Sequence, residues 1–403
     1  MAAFIIEWLT TGVRWLHVIA AVAWLGASFY FQGLARKFKR RAATPAEAEA
    51  DVWEVRGLGF YQIAKYLAPP KAMPPPEELV WYRWQANTTW MSGFALLTLV
   101  YYVGAQRYLI DPAVLDVPAW AAIALSVSGL AATWLVYDAL CRSPLVRNGR
   151  LLGVIAFLLL AALAYACSCV FSARGAFMQL GATMGTVMLA NVFFFIIPTL
   201  RKVVAAIPAG QRIDPDLLTQ YGQRSLHNNY LSLPVVFMMI GNHSPLAFAT
   251  GYSWLIVSLI VLIGAAIRHF FNTMHATRRK LVWPWCTAAA LFACVIGLSA
   301  LGSRSASTVL AAGPPQAVRL AEIKPIVLAR CSMCHAAQPV WPGISAPPKG
   351  VMLQTSEQIL IHAADINREA LLSSAMPPAN LTGITDAERA RIGQWILAGA
   401  RAD

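Results

Sequence analysis

Charge is what this 403-residue sequence has least of. Asp, Glu, Lys and Arg make up 13% of it, with 19 carboxylates against 32 basic side chains. Soluble globules carry about a quarter charged residues. With 58% hydrophobic residues and a mean hydropathy of +0.55, an ordinary soluble fold is excluded. Cysteine is sparse as well, at seven residues. Cys141, Cys167, Cys169, Cys286 and Cys294 lie in or beside apolar runs and read as unpaired small hydrophobes. There is no Walker loop, G-x-G-x-x-G fingerprint, G-x-S-x-G elbow or H-E-x-x-H pair. P-loop, dinucleotide-binding, hydrolase and zincin chemistry therefore have no basis in the sequence.

What is abundant is apolar sequence in long runs. About 20 helical residues cross the ~30 Å of hydrocarbon in a bilayer. Runs of roughly that length recur near residues 8–31, 85–103, 118–137, 151–171, 176–198, 230–248, 252–267 and 282–301. The sixth and seventh are short and share a tight Pro/Gly connection. The first run has several polar residues and no small-residue cleavage site, so it is expected to stay as a span and not be removed as a signal peptide. Twenty Lys and Arg fall in the loops after the first, third, fifth and seventh runs, and only Arg107 and Arg174 in the alternate ones. The positive-inside rule then puts both chain ends outside and the basic loops in the cytoplasm. The net charge of +13 is thus topological, and no nucleic-acid partner is expected.

Two of the seven cysteines stand apart. Cys331-Ser332-Met333-Cys334-His335 is a C-x-x-C-H run, the attachment signature of a c-type haem. Two thiols at that spacing add to one porphyrin edge, and the following histidine ligates the iron. A zinc half-site or a redox C-x-x-C is the alternative reading. Met376, in an Ala-Met-Pro-Pro segment 41 residues beyond His335, is the expected second iron ligand, with Met352 as its rival. Residues 385–397 open on Thr-Asp with Glu388 in the first turn and place Ile392, Trp395 and Ile396 on one face, as a closing helix would. Covalent haem c attachment takes place on the outer face of a bacterial membrane, where the charge count puts this segment. The expected place is the bacterial inner membrane, multi-pass, with the N-terminus and the C-terminal domain periplasmic.

Ionisable and polar residues inside the apolar part carry further information, because each is costly in hydrocarbon. Glu7, Arg14 and His17 share one stripe of the first run. His17 is either hydrogen-bonded to a neighbouring helix or an axial ligand of a haem b. His243, at the outer end of the sixth run, lies at a similar depth. Before that run comes Gln223-Arg224-Ser225-Leu226-His227-Asn228-Asn229-Tyr230, in which six of eight side chains other than tyrosine donate hydrogen bonds. It is either a polar cap or a binding site for a small planar anion near the cytoplasmic face. Residues 52–61, with Gly-x-Gly between aromatic and β-branched residues, read as a small ordered hairpin.

Four stretches together carry a family resemblance. They are residues 14–31 (RWLHVIAAVAWLGASFYF), 52–61 (VWEVRGLGFY), 90–97 (WMSGFALL) and 227–234 (HNNYLSLP). The chain resembles the bacterial membrane urate hydroxylases of the PuuD type, and the resemblance covers its whole length. It departs at Arg56-Gly57-Leu58-Gly59, where that family leads one to expect His-Gly-Gly-Gly. The first run is also similar to a small membrane protoporphyrinogen oxidase family that lacks a fused cytochrome. The resemblance implies an all-α architecture: a polytopic transmembrane helix bundle of about eight spans at 1–302, a linker at 303–316 and a small cytochrome c domain at 317–403.

The resemblance also implies oxidation of urate to 5-hydroxyisourate, with electrons passed to a cytochrome and on to a downstream cytochrome or terminal oxidase. Urate would meet Arg224, Asn228 and Asn229, with His227 as the base. Haem c would be held by Cys331, Cys334, His335 and Met376. Electrons must then cross most of the bilayer, which argues for a haem b on His17 and His243. Two other classes stay open: an electron-relay subunit with no substrate of its own, and a haem- or porphyrin-handling membrane oxidase.

Overall fold

Over the first 300 residues large apolar side chains face outward and polar ones inward. Trp8, Trp15, Val22, Leu135 and Ile240 are more than half exposed, whereas Ser126, Gln179, Asn191, Arg224 and Asn229 are buried. Water would not tolerate such a surface, and hydrocarbon requires it. The computed structural model describes residues 2–66, 82–206, 211–277, 279–310, 318–342, 344–373 and 375–402.

The bundle is built from α1 (Ala2–Lys37), α2 (Trp84–Leu96, continued by a π-helical stretch Leu97–Tyr102), the short α3 (Ala105–Tyr108), α4 (Ala119–Arg142), α5 (Gly149–Ser168), α6 (Ala173–Ala190), α7 (Ile197–Ala206), α8 (Pro215–Gly241), α9 (Ser253–Thr277) and α10 (Trp283–Leu310). A π-helical stretch, Asn191–Ile196, joins α6 to α7, so Ala173–Ala206 is one helical run. Six runs are long and apolar enough to cross a membrane: Phe4–Lys37, Ala119–Arg142, Gly149–Ser168, Ala173–Ala206, Ser253–Thr277 and Trp283–Gly302. The other two expected spans are helices in the same bundle, α2 and α8, but are not apolar enough by that measure. Their polar content is the reason: Thr88, Thr89 and Ser92 in α2, and residues 223–229 in α8.

Close helix approach depends on glycine at two places. A Cβ on Gly264 of α9 would lie 2.5 Å from the ring of Pro234 in α8. One on Gly93 of α2 would lie 2.8 Å from the His17 ring of α1. Small residues at such crossings let the backbones meet.

Between α1 and α2 the expected hairpin is present, β1 (Ala50–Arg56) pairing antiparallel with β2 (Gly59–Lys65). Gly57, the first of its two turn residues, has φ of 57°, a left-handed conformation that glycine adopts freely. Beneath the hairpin Asp51 is fully covered. It accepts from Thr44 Oγ1 (2.7 Å), Trp53 Nε1 (3.0 Å), Gln62 Nε2 (3.1 Å) and Arg41 Nη1 (3.1 Å). The hydrogen bonds from Thr44 and Gln62 hold its carboxyl below the usual range.

The expected linker starts inside a helix, because α10 runs on to Leu310. No Gly or Pro follows Gly302 until Gly313, so nothing in the sequence stops the helix sooner. Residues 311–316 lie outside the described residues. Then come α11 (Leu320–Arg330), α12 (Ser356–Ile361), α13 (Ala363–Ile366) and α14 (Asp386–Leu397). Thr385 and Glu388 close the capping box that starts α14. Its Ile392 and Trp395 are buried with Ile323 and Val327 of α11, Ile359, Ile366 and Leu371 in a separate core. These C-terminal helices sit at the end of the bundle away from the hairpin. There α14 packs on α10, Ala375 touches the bundle core, and Arg107 Nη2 donates to Pro342 O (2.8 Å).

Candidate functional site

Cys331 follows α11 directly as its C-cap, and the turn of Cys331–His335 continues from it. Cys331 and Met376 pack against the same C-terminal core; Met352 is not among the residues that do. Burial pushes the Cys331 thiol up to about 11 and also raises that of Cys334. His335 holds its Nδ1 on Val351 O at 2.9 Å, which leaves Nε2 for a ligand. Among the described residues no three His, Cys, Asp or Glu side chains gather as a bare metal ion would need.

A second place lies in the bundle, in the half towards the C-terminal helices. His17 and His243 line one cavity of about 470 Å³ between α1, α2, α6 and α8, with Arg14, Trp24, Trp90 and Tyr101 among its walls. His17 Nδ1 is 2.9 Å from Thr89 O and 3.1 Å from Ser92 Oγ, so Nδ1 carries the hydrogen given to the carbonyl and Nε2 is the free edge. Gly93 lies against that ring, where any larger residue would push it aside. The two histidines that the sequence grouped by depth are therefore brought together.

Towards the hairpin end, the polar stretch of α8 divides between two faces. On one, Arg224 is fully buried. Its Nη2 donates to Asp138 Oδ1 (2.7 Å), its Nη1 to Asn191 Oδ1 (3.1 Å), and its Cζ lies 4.2 Å from the Phe195 ring centre. Asn191 Nδ2 donates to Asn228 Oδ1 (2.9 Å), and Asn228 Nδ2 to Met188 O (2.9 Å). His227 Nδ1 shares a 2.8 Å hydrogen bond with the Tyr137 hydroxyl. Arg224, His227 and Asn228 thus form one network with Tyr137, Asp138 and Asn191.

Asn229 belongs to the other face. Its Oδ1 accepts from Asn272 Nδ2 (2.9 Å) and Arg268 Nε (3.3 Å) of α9. Among the described residues, Arg224 Nε and Asn229 Nδ2 are buried without a partner.

Sequence reasoning did not single out Tyr137, Asp138, Asn191, Arg268 or Asn272. Asn191 is a polar residue within an apolar run and Asp138 directly follows one, which is the signal that finds them. Asn191 also begins a π-helical stretch, a distortion frequent at functional sites. Arg268 was counted as a loop cation; the structure places it inside α9 at 5% exposure.

A family model described as urate oxidase N-terminal matches residues 3–299, from α1 to near the apolar limit of α10. No curated protein and no solved structure matches the chain.

Proposed function

Because the chain belongs to the urate oxidase N-terminal family, we propose that it is a membrane urate hydroxylase whose electrons leave through a c-type haem on its own C-terminal helices. The reaction is urate plus water giving 5-hydroxyisourate, two protons and two electrons. In this reading α2 and α8 are the second and sixth spans of an eight-span bundle in a bacterial inner membrane. The hairpin end faces the cytoplasm and α11–α14 the periplasm, in line with the loop charges.

One observation carries the cofactor reading. His17 and His335 each hold Nδ1 on a backbone carbonyl, at 2.9 Å in both cases, and turn Nε2 outward. Hydrogen bonds of this kind fix the tautomer and ring orientation of metal-ligating histidines. Cys331, Cys334, His335 and Met376 would hold a covalent haem c, and His17 and His243, which line one cavity with Arg14, would hold a haem b. Such groups supply one-electron redox chemistry between a two-electron substrate and a downstream cytochrome or terminal oxidase.

The protein's own part is to bind urate and to accept its protons. We assign both tasks to the polar Arg224–Asn229 stretch of α8, in which His227 is steadied by Tyr137.

The test is an absorption spectrum of the purified full-length protein, with a pyridine-haemochrome count of b and c haems, before and after anaerobic urate. Urate-driven reduction of haem c is expected in wild type. It should be lost in His227→Ala, which dithionite still reduces, and in His17→Ala, which also loses b-type absorption. Cys331→Ala with Cys334→Ala should abolish covalent haem staining. Wild type with haem c alone would remove the relay, and wild type that urate does not reduce would remove the activity.

A further inference from the structure

Two arginines are buried beside α8, and only one of them has a carboxylate. Arg224 is closed off by Asp138. On the opposite face Arg268 is 5% exposed, and its one hydrogen bond to a described residue runs from Nε to Asn229 Oδ1. Its Cζ lies 4.1 Å from the ring centre of Phe29 in α1. Arg36 stands close enough to interact with it electrostatically. The Nη1 of Arg36 donates to Gln32 Oε1 (2.6 Å), and Gln32 Nε2 donates to Ser225 Oγ (2.8 Å). Neither Arg36 nor Arg268 forms an ion pair with a carboxylate among the described residues. Asn229 Nδ2, buried at the same place, has no partner among the described residues.

A buried guanidinium beside a second cation is unfavourable without a counter-ion. An unpartnered amide N–H adds to that cost. Both are relieved by one ligand: a planar anion that also offers a carbonyl. The Arg fork takes such an edge with two parallel hydrogen bonds.

We infer that the place where α1, α8 and α9 meet around Arg268 and Asn229 receives the urate anion. Arg268 takes its anionic edge, Asn229 Nδ2 donates to a ring carbonyl, and Arg36 adds positive potential. Asn272 holds Asn229 so that its Nδ2 stays free. This rests on the urate reading above and narrows its recognition stretch to the Asn229 face. Arg224 and His227, both on the opposite face of α8, become positioning residues that fix α8 against α4 and α6.

The test is urate binding by equilibrium dialysis to full-length protein in detergent, kept reduced with dithionite so that no turnover occurs. Arg268→Gln should weaken binding on the order of 10- to 100-fold, the loss of one charge-assisted pair. Arg268→Lys, which keeps the charge and loses the fork, should fall between it and wild type. Neither should lower the thermal midpoint of the ligand-free protein, as a purely structural arginine would; both should reduce its rise on adding urate.

Wild-type affinity in Arg268→Gln or in Arg268→Lys overturns the site and leaves the proposed activity standing. Wild type that binds no urate, yet binds orotate, another planar anion, in an Arg268-dependent way, overturns both the activity and the urate receptor. Binding of neither anion overturns the site.

Discussion

The two faces of α8 hold the same kinds of side chain but differ in charge pairing, although each leaves one buried N–H, Arg224 Nε and Asn229 Nδ2, without a partner among the described residues. On the α4/α6 face Arg224 meets Asp138 and Asn191, Asn228 meets Asn191 and Met188, and His227 meets Tyr137. On the α1/α9 face, among the described residues, Arg268 has a single long bond to Asn229, whose amide nitrogen is left over. A low-dielectric interior makes a satisfied polar network rigid and an unsatisfied one costly. The first state is what a bundle uses to fix its helices. The second is what it keeps where something else is to be bound. The cavity around His17 and His243 belongs with the second kind, and the caged Asp51 with the first.

The largest effect that sharpens this contrast is on stability. Asp138→Asn leaves the buried Arg224 charge without its partner and should cost about 3–5 kcal/mol, whereas Arg224→Gln leaves Asp138 still paired with Arg142 and should cost less. The double variant, which removes both charges, should recover most of that loss. Arg268→Gln, which removes a cation that has no counter-ion, should change the ligand-free protein by less than about 1 kcal/mol. Thermal unfolding of the four variants in one detergent gives all of these differences. A loss in Arg268→Gln as large as in Arg224→Gln would break the comparison.

How much of this was legible in the sequence differs between the same regions. Helix positions were readable from the apolar runs, the hairpin from Gly57 and Gly59 among aromatic and β-branched residues, and the start of α14 from Thr385 and Glu388. Those signals are local. The pairing of Arg224 with Asp138 joins residues 86 apart, and no spacing rule reports it. Arg268 was misplaced for a related reason. A cation near the end of an apolar run looks like a loop residue until the helix is seen to continue to Thr277. The polar letters of α8 were conspicuous, but which of them face α4 and which face α9 follows from helix packing alone.

A middle-sized effect probes the cavity. Gly93→Ala puts a methyl into the His17 ring and should destabilise the protein by about 1–3 kcal/mol, as overpacking does. It should also shift b-type absorption, because the ring it displaces is the proposed axial ligand. His17→Ala removes the ring and its bonds to Thr89 and Ser92, at about 1 kcal/mol. On the reading of an incomplete site, that variant loses the pigment while staying folded. Unfolding of His17→Ala without heat would instead place His17 among the structural residues.

The smallest effect is local and concerns pH. Asp51 is held by Thr44, Gln62 and Arg41, which favour its ionised form and lower its folded-state value. An unfolded aspartate titrates near 3.9. A lowered folded value means that the hairpin gains stability from Asp51 at all pH above that point and loses it only as pH falls through the folded value. Trp53, whose Nε1 donates to Asp51 Oδ2, reports the change directly. Its fluorescence should be flat from pH 7 to 5 and move only below about 4. Asp51→Asn should remove the acid transition, since an amide has no proton to gain. A transition near pH 6 in wild type, or one that survives in Asp51→Asn, would mean that the cage around Asp51 is not the complete network the hydrogen bonds describe.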